Sequence, residues 1–222
     1  ALVRGGMEEK EIQRLAGIAG WRLPGRLVVV VLPADAEADT RDRLVHAGLV
    51  MEGDDELVSI LDASGDRGRR ARLLRLIGDV PAVVGPAVDW RLVPHSYRVA
   101  HTLAGQEAAA VGTPVFAEDH LARVALGAEP RVVEELAARV LAPLAALSGA
   151  KRAVLEETLL SWLLHWGQRA RIAAELSVHP QTVGYRMGRL RELFGNALED
   201  PDARFDLEIA LRARREGVVP AE

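Results

Sequence analysis

The chain has 222 residues, 32 acidic against 28 basic side chains for a formal net charge of −4, 49% hydrophobic and 27% charged residues, and no cysteine. That composition is of an ordinary globular protein and excludes disordered and fibrous classes, disulfide scaffolds, Cys-ligated zinc, iron–sulfur clusters and cysteine nucleophiles. The length predicts two domains or one large one, with no need of a structural metal. No apolar run approaches the roughly 20 residues of a membrane span. The first residues lack the apolar core and cleavage site of a signal peptide, so a cytoplasmic location away from membranes is expected. The chain opens on Ala1 rather than Met, which suggests a piece of a longer protein. All but two of the basic residues (Lys10, Lys151) are Arg, and neither half is strongly basic, so any nucleic-acid reading rests on a local patch.

In chain order, residues 8–20 read as a short helix with Ile12, Leu15 and Ile18 on one stripe. Arg26–Leu32 is an apolar, β-branched run closed by Pro33, as expected of a central strand buried on both faces. Asp39–His46 reads as a short helix. Leu49–Leu61 has two apolar segments around a Gly-Asp-Asp tip, a hairpin signature. Arg69–Ile77 has helical spacing and Pro81–Val88 reads as a strand. Ser96–Leu103 reads as a helix that Ser96 caps, and Pro114–Ala117 as a brief strand. Strands interleaved with helices predict an α/β (α+β) sandwich.

Beyond residue 118 strand signals vanish. His120–Leu126, Arg131–Leu147, Lys151–Trp166, Arg169–Leu176, Pro180–Phe194 and Pro201–Glu216 all have helical spacing, with Asp200 a good N-cap before Pro201. Leu155, Leu159 and Leu163 form one stripe with Trp162 and Trp166, expected to be core or in part a dimer seam. The domains read as 1–127, a helical linker at 128–149, and an all-α domain at 150–222.

Residues 168–191 have the layout of a helix-turn-helix. Ala173 is the small residue at the crossing, Ile172, Leu176, Val178 and Val183 pin the helices, and Ser177-Val178-His179 makes the turn. The inward stripe continues through Met187, Leu190 and Phe194. Gln181, Thr182, Tyr185, Arg186 and Arg189 are left pointing at solvent, with Arg191 beside them. From His179 to Arg191 there are three arginines and no acid, so this face has groups to read base edges and grip phosphates, and the helix start offers amides to a phosphate. A solvated basic face is the bland alternative. Gly184 and Gly188 inside this helix cost about 1 kcal/mol each relative to Ala. They either admit a DNA backbone or loosen the helix.

Leu155-Glu-Glu-Thr-Leu-Leu-Ser-Trp-Leu, Ala173-Ala-Glu-Leu-Ser-Val-His-Pro-Gln-Thr-Val-Gly-Tyr-Arg-Met and Leu198-Glu-Asp-Pro-Asp-Ala-Arg-Phe-Asp-Leu together resemble the C-terminal DNA-binding domain of PucR/CdaR-type bacterial transcriptional regulators. The resemblance spans residues 150–216 and implies that His179, Thr182, Tyr185 and Arg186 lie at the DNA face. An Asn often present near the start of the motif is replaced around Gln168-Arg169. The preceding domain resembles a degenerate GGDEF-like domain, with Gly53-Asp54-Asp55-Glu56-Leu57 where a diguanylate cyclase carries Gly-Gly-Asp/Glu-Glu-Phe. A cyclase needs the second glycine for backbone approach and carboxylates for two metal ions. Asp54, Leu57 and Pro33, which intervenes before the candidate carboxylate Asp35, argue against catalysis.

The expectation is therefore a DNA-binding regulator, not an enzyme, without cofactor or metal. It would be a homodimer on a double-stranded operator and answer a small-molecule effector through an additional N-terminal domain. The rival readings are a residual nucleotide cyclase using Asp35 with the 53–57 turn, and a nucleotide- or metabolite-binding interaction module. Glu118-Asp119-His120 reads as a turn with a helix cap rather than a zinc site. Trp90, His95 and Tyr97 read as a surface-loop anchor rather than a ligand pocket.

Overall fold

A strand that is apolar at every position must be covered on both faces, and β1 (Leu27–Pro33) is the middle strand of the sheet. The computed structural model describes residues 3, 5–6, 8–18, 20–21, 23–65, 67–106 and 112–219. Among them the sheet order is β2 (Gly48–Glu52), β3 (Glu56–Asp62), β1, β4 (Ala82–Val84) and β5 (Pro114–Phe116). Only the β4–β5 pairing is parallel. Side chains alternate across β1 as the two-residue period requires. Leu27, Val29 and Val31 pack with Val93, Val99, Ala100 and Leu103 of α4 (Val93–Ala104), and with Ile12 of α1 (Glu9–Ile18). Val28, Val30 and Leu32 pack on the other face with Leu44 of α2 (Ala38–Ala47) and with Leu73 and Ile77 of α3 (Arg69–Ile77).

The strand expected over Pro81–Val88 is shorter. Its regular ladder ends at Val84 because Pro86 interrupts it, and pairing resumes only as a single bridge between Val88 and Leu27. The break leaves the N–H of Val29 without a ladder partner. Ser96 Oγ accepts that hydrogen bond at 3.1 Å and donates to the Pro86 carbonyl at 2.8 Å. Ser96 is thus a fully buried patch in the sheet and not the expected helix cap. The helix begins three residues earlier, with Pro94 in its first turn. Gly85 is needed at this crossing, since a Cβ there would lie 2.4 Å from the Ser96 carbonyl oxygen.

The chain divides into two units, Ala1–Ala125 and Leu126–Glu222. After α5 (Leu121–Gly127), the second unit holds α6 (Pro130–Val140), α7 (Gly149–Leu164), α8 (Arg169–Glu175), α9 (Pro180–Phe194) and α10 (Pro201–Arg215). Residues 128–149, read from sequence as a helical linker, are more than a connector: Val133, Ala137, Leu141 and Leu144 are buried in this unit's core. The helix expected over 131–147 stops at Val140 and gives way to a single 3₁₀ turn, Ala142–Leu144, because Pro143 has no N–H with which to continue it. Asp200 caps α10 as expected, accepting from the N–H groups of Asp202 and Ala203 at 2.8 and 3.2 Å. Glu156 of α7 takes Arg214 of α10 at 2.5 Å and Arg152 at 2.9 Å, tying the two helices together.

Replacing Ser96 with Ala strands a buried donor and acceptor. Urea titration of Ser96→Ala is expected to give an unfolding free energy lower by about 1–3 kcal/mol. A variant as stable as the parent would mean that the sheet break needs no bridge.

Candidate nucleic-acid interface

α8 and α9 meet through Ile172 and Ala173 on one side and Val183 on the other, all buried. Val183, Met187, Leu190 and Phe194 lie four, three and four residues apart, so one stripe of α9 faces the core. The chain turns between the helices by placing Ser177 in the left-handed region at φ +52°, with the Val178 N–H bonded to the Ala173 carbonyl at 3.0 Å. Glycine takes that conformation at least cost, and Ser is small enough to bear it.

With the stripe buried, the rest of α9 is set by helical steps of about 100° per residue. Gln181, Tyr185 and Arg189 are exposed, Tyr185 to 80%. Thr182 and Arg186 are half-buried. Arg186 turns back toward α7, where its Nη1 donates to Thr158 Oγ1 at 3.2 Å, so it does not point freely at solvent as the sequence suggests. Arg189 donates to Glu192 at 2.7 Å in an exposed pair, a contact of the kind worth little in water. Arg191 lies about 140° round the helix from Arg186, on the other flank, and not beside the outward group. His179 is the N-cap: its Nδ1 accepts from the Gln181 N–H at 3.2 Å, which fixes the proton on Nε2 when the ring is neutral. The amides expected to be open at this helix start are taken. Pro180 has none, Gln181 is capped, and Thr182 and Val183 bond the His179 carbonyl at 2.9 and 3.4 Å.

Sequence reasoning passed over Glu175 at the end of α8. It accepts a short hydrogen bond from the buried Ser161 Oγ of α7 and one at 3.0 Å from Nε2 of His165, the residue that caps the C-terminus of α7. The Ser161 hydroxyl first, and His165 after it, hold the Glu175 carboxyl below the usual carboxylate range. Three residue types that individually mark nothing thus lock the first helix of the motif to α7. Trp166 departs from the expected stripe. α7 ends at Leu164, and Trp166 stands 82% exposed while Leu155, Leu159 and Leu163 are buried.

In the first unit the hairpin tip is Gly53-Asp54-Asp55, as expected, closed by the Gly53 N–H on the Glu56 carbonyl at 2.8 Å. Asp35, Asp54 and Asp55 are exposed. Glu56 is not available in the same way. It accepts from the Tyr97 hydroxyl at 2.6 Å and pairs with His101 Nδ1 at 2.9 Å, both on α4. Tyr97 therefore anchors the hairpin, while Trp90 is buried in the core. Glu118 and Asp119 clasp the Arg70 guanidinium with bonds of 2.7 to 3.1 Å, and that group also lies 4.6 Å from the centre of the Phe116 ring. Among the described residues no group of three or more His, Asp or Glu side chains is placed to hold a metal ion.

Comparison with known proteins bears on both units. Residues 155–213 match the PucR C-terminal helix-turn-helix domain and residues 4–104 match the GGDEF-like domain. An uncharacterised protein from the pkwA 5′ region of Thermomonospora curvata is 32% identical over 165 residues, covering 71% of this chain and 89% of the relative. An uncharacterised protein of Mycobacterium tuberculosis is 30% identical over 142 residues, or 62% of this chain, and the match spans only 33% of that longer relative. A solved structure titled as a regulator of polyketide synthase expression from Bifidobacterium adolescentis aligns over 96% of both chains at 22% identity, with a TM-score of 0.39.

The Glu175 lock has a pH signature. Because its folded pKa is depressed below the ordinary 4.5, the stabilisation is complete above that value and is lost as pH falls through the lower folded one. Thermal midpoints of the parent and Glu175→Gln are expected to differ at neutral pH and to converge in acid. A difference that persists unchanged in acid would remove the carboxylate from the account.

Proposed function

The chain belongs to the PucR/CdaR type of bacterial transcriptional regulator, and on that premise we propose that α9 enters the major groove of duplex DNA. Gln181, Thr182 and Tyr185 then address base edges, while Arg189, Arg186 and the Nε2–H of His179 address phosphates. The observation that carries this reading is the outer face of α9: Gln181 and Tyr185 stand exposed there beside Arg189, on a helix whose opposite stripe is fully engaged. Arg189 exchanges its weak partner Glu192 for a phosphate. Arg191, on the far flank, has no part in the contact.

One helix-turn-helix contributes modest affinity, so two copies bind a pair of half-sites as a homodimer. The first unit acts without catalysis. Asp54 stands where a cyclase needs its second glycine, and Tyr97 and His101 occupy Glu56. The effector acts through a further N-terminal domain of the whole protein. The protein works in the cytoplasm, in keeping with the lack, among the described residues, of any helix long and apolar enough to cross a membrane.

Fluorescence anisotropy with a duplex across a salt series tests the assignment. Arg189→Ala is expected to reduce the slope of log affinity against log salt by about one. Arg186→Ala is expected to weaken binding and also to lower stability, since it removes the bond to Thr158. A salt slope untouched by Arg189→Ala would sink the placement of α9.

A further inference from the structure

Trp166 combines two costly features. It is the most exposed large apolar side chain among the described residues, at 82%, and its backbone is left-handed, at φ +52°. Water contact forfeits the burial of a large ring, and the left-handed region favours glycine. The turn nevertheless holds it there. Gly167 follows at φ +72°, its N–H bonded to the Trp162 carbonyl at 3.0 Å, and the Gln168 N–H bonds the His165 carbonyl at 2.9 Å. A Cβ at residue 167 would stand 3.1 Å from Trp162 Nε1, so the turn closes directly against that indole. The result is a fixed corner that presents Trp166 outward instead of returning it to the α7 stripe. Backbone strain that the surroundings enforce in this way is concentrated at functional positions.

Arg169, three residues on, opens α8 at the same corner. It is exposed, and its guanidinium makes none of the hydrogen bonds or ion pairs among the described residues. It lies across Gly184 of α9, where an added Cβ would be 3.6 Å from its Cζ and Nη1. That spacing is ordinary contact for a methyl group, whereas a longer side chain at 184 would displace the guanidinium. Gly184 directly precedes Tyr185 and follows Gln181 by one turn, so the Arg169 charge sits at the margin of the outer face of α9. The immediate neighbour of Gly184 in space is thus an arginine of the same unit. Gly188, by contrast, has open space around it.

We propose that this corner is a second DNA contact, in which Arg169 pairs with a phosphate and the Trp166 ring packs on the adjoining deoxyribose, at the edge of the groove that α9 enters. The proposal rests on the DNA-reading role given to α9. A guanidinium matches phosphate oxygens in bidentate fashion, and a flat indole covers apolar sugar surface. Such contacts set orientation and carry no base identity.

The test uses the full chain with a mixed-sequence duplex of about 30 base pairs at low salt. Trp90 is buried and Trp21 and Trp162 are half-buried, so Trp166 carries the emission most open to acrylamide. The duplex is expected to shield that emission in the parent, and Trp166→Phe is expected to lack both the accessible component and its shielding. Arg169→Ala is expected to lower the salt slope by about one. Gly184→Gln is expected to do the same by displacing Arg169, and Gly184→Ala to leave the slope alone. If the duplex binds with an Arg189-dependent slope while Trp166 stays open to acrylamide and Arg169→Ala changes nothing, the corner contact is overturned and the α9 reading stands. If the parent does not bind the duplex at low salt, both fall.

Discussion

Everything the second unit offers to a partner depends on burying one stripe of α9. Val183, Met187, Leu190 and Phe194 are held by the same core that takes Leu155, Leu159 and Leu163 from α7 and Leu207 and Leu211 from α10. A helix pinned along one line has no rotational freedom left, so the identity of its outer residues is decided by the identity of its inner ones. Gln181 and Tyr185 face out because Val183 and Met187 face in. The flanks of the stripe follow the same geometry. Arg186, one step from the buried line, is close enough to α7 to bond Thr158, and its positive charge is therefore delivered at a fixed place.

The supports of that helix are polar and small in number. The left-handed Ser177 sets the angle of entry, His179 closes the first turn, and Glu175 fastens α8 to α7 through Ser161 and His165. In the first unit, residues that occupy a cyclase-like hairpin have been drawn into the structure of the domain. Glu56 is bonded to Tyr97 and His101, so a carboxylate at the signature position secures the hairpin to α4. The two units thus share a pattern, in which side chains that look reactive in isolation serve as ties between elements.

Much of this was legible from residue spacing, because spacing reports burial. β1 was readable from six consecutive apolar residues, the hairpin from its Gly-Asp-Asp tip, and α9 with its inward stripe from a three-four repeat. What escaped depends on partners distant in sequence. Ser96 looked like a helix cap because its bond to Val29, 67 residues away, has no local signature. The strand at Pro81–Val88 looked long because the effect of Pro86 on the ladder depends on which strand lies opposite. Arg186 looked free because Thr158 is on another helix, and Trp166 looked like core because helical spacing does not foresee where a helix ends. The candidate site was therefore readable as a face of one helix, while the Glu175 tie that supports it and the exposed corner at Trp166 were not.

The central claim is that the outer face of α9 reads sequence. Its most direct test is selection of bound sites from a randomised duplex pool by the parent and by Gln181→Ala. The account predicts a recurring motif for the parent that loosens at a few adjacent positions in the variant and is retained elsewhere. Recovery of no enriched motif by the parent, or of one motif identical in both proteins at every position, would contradict it.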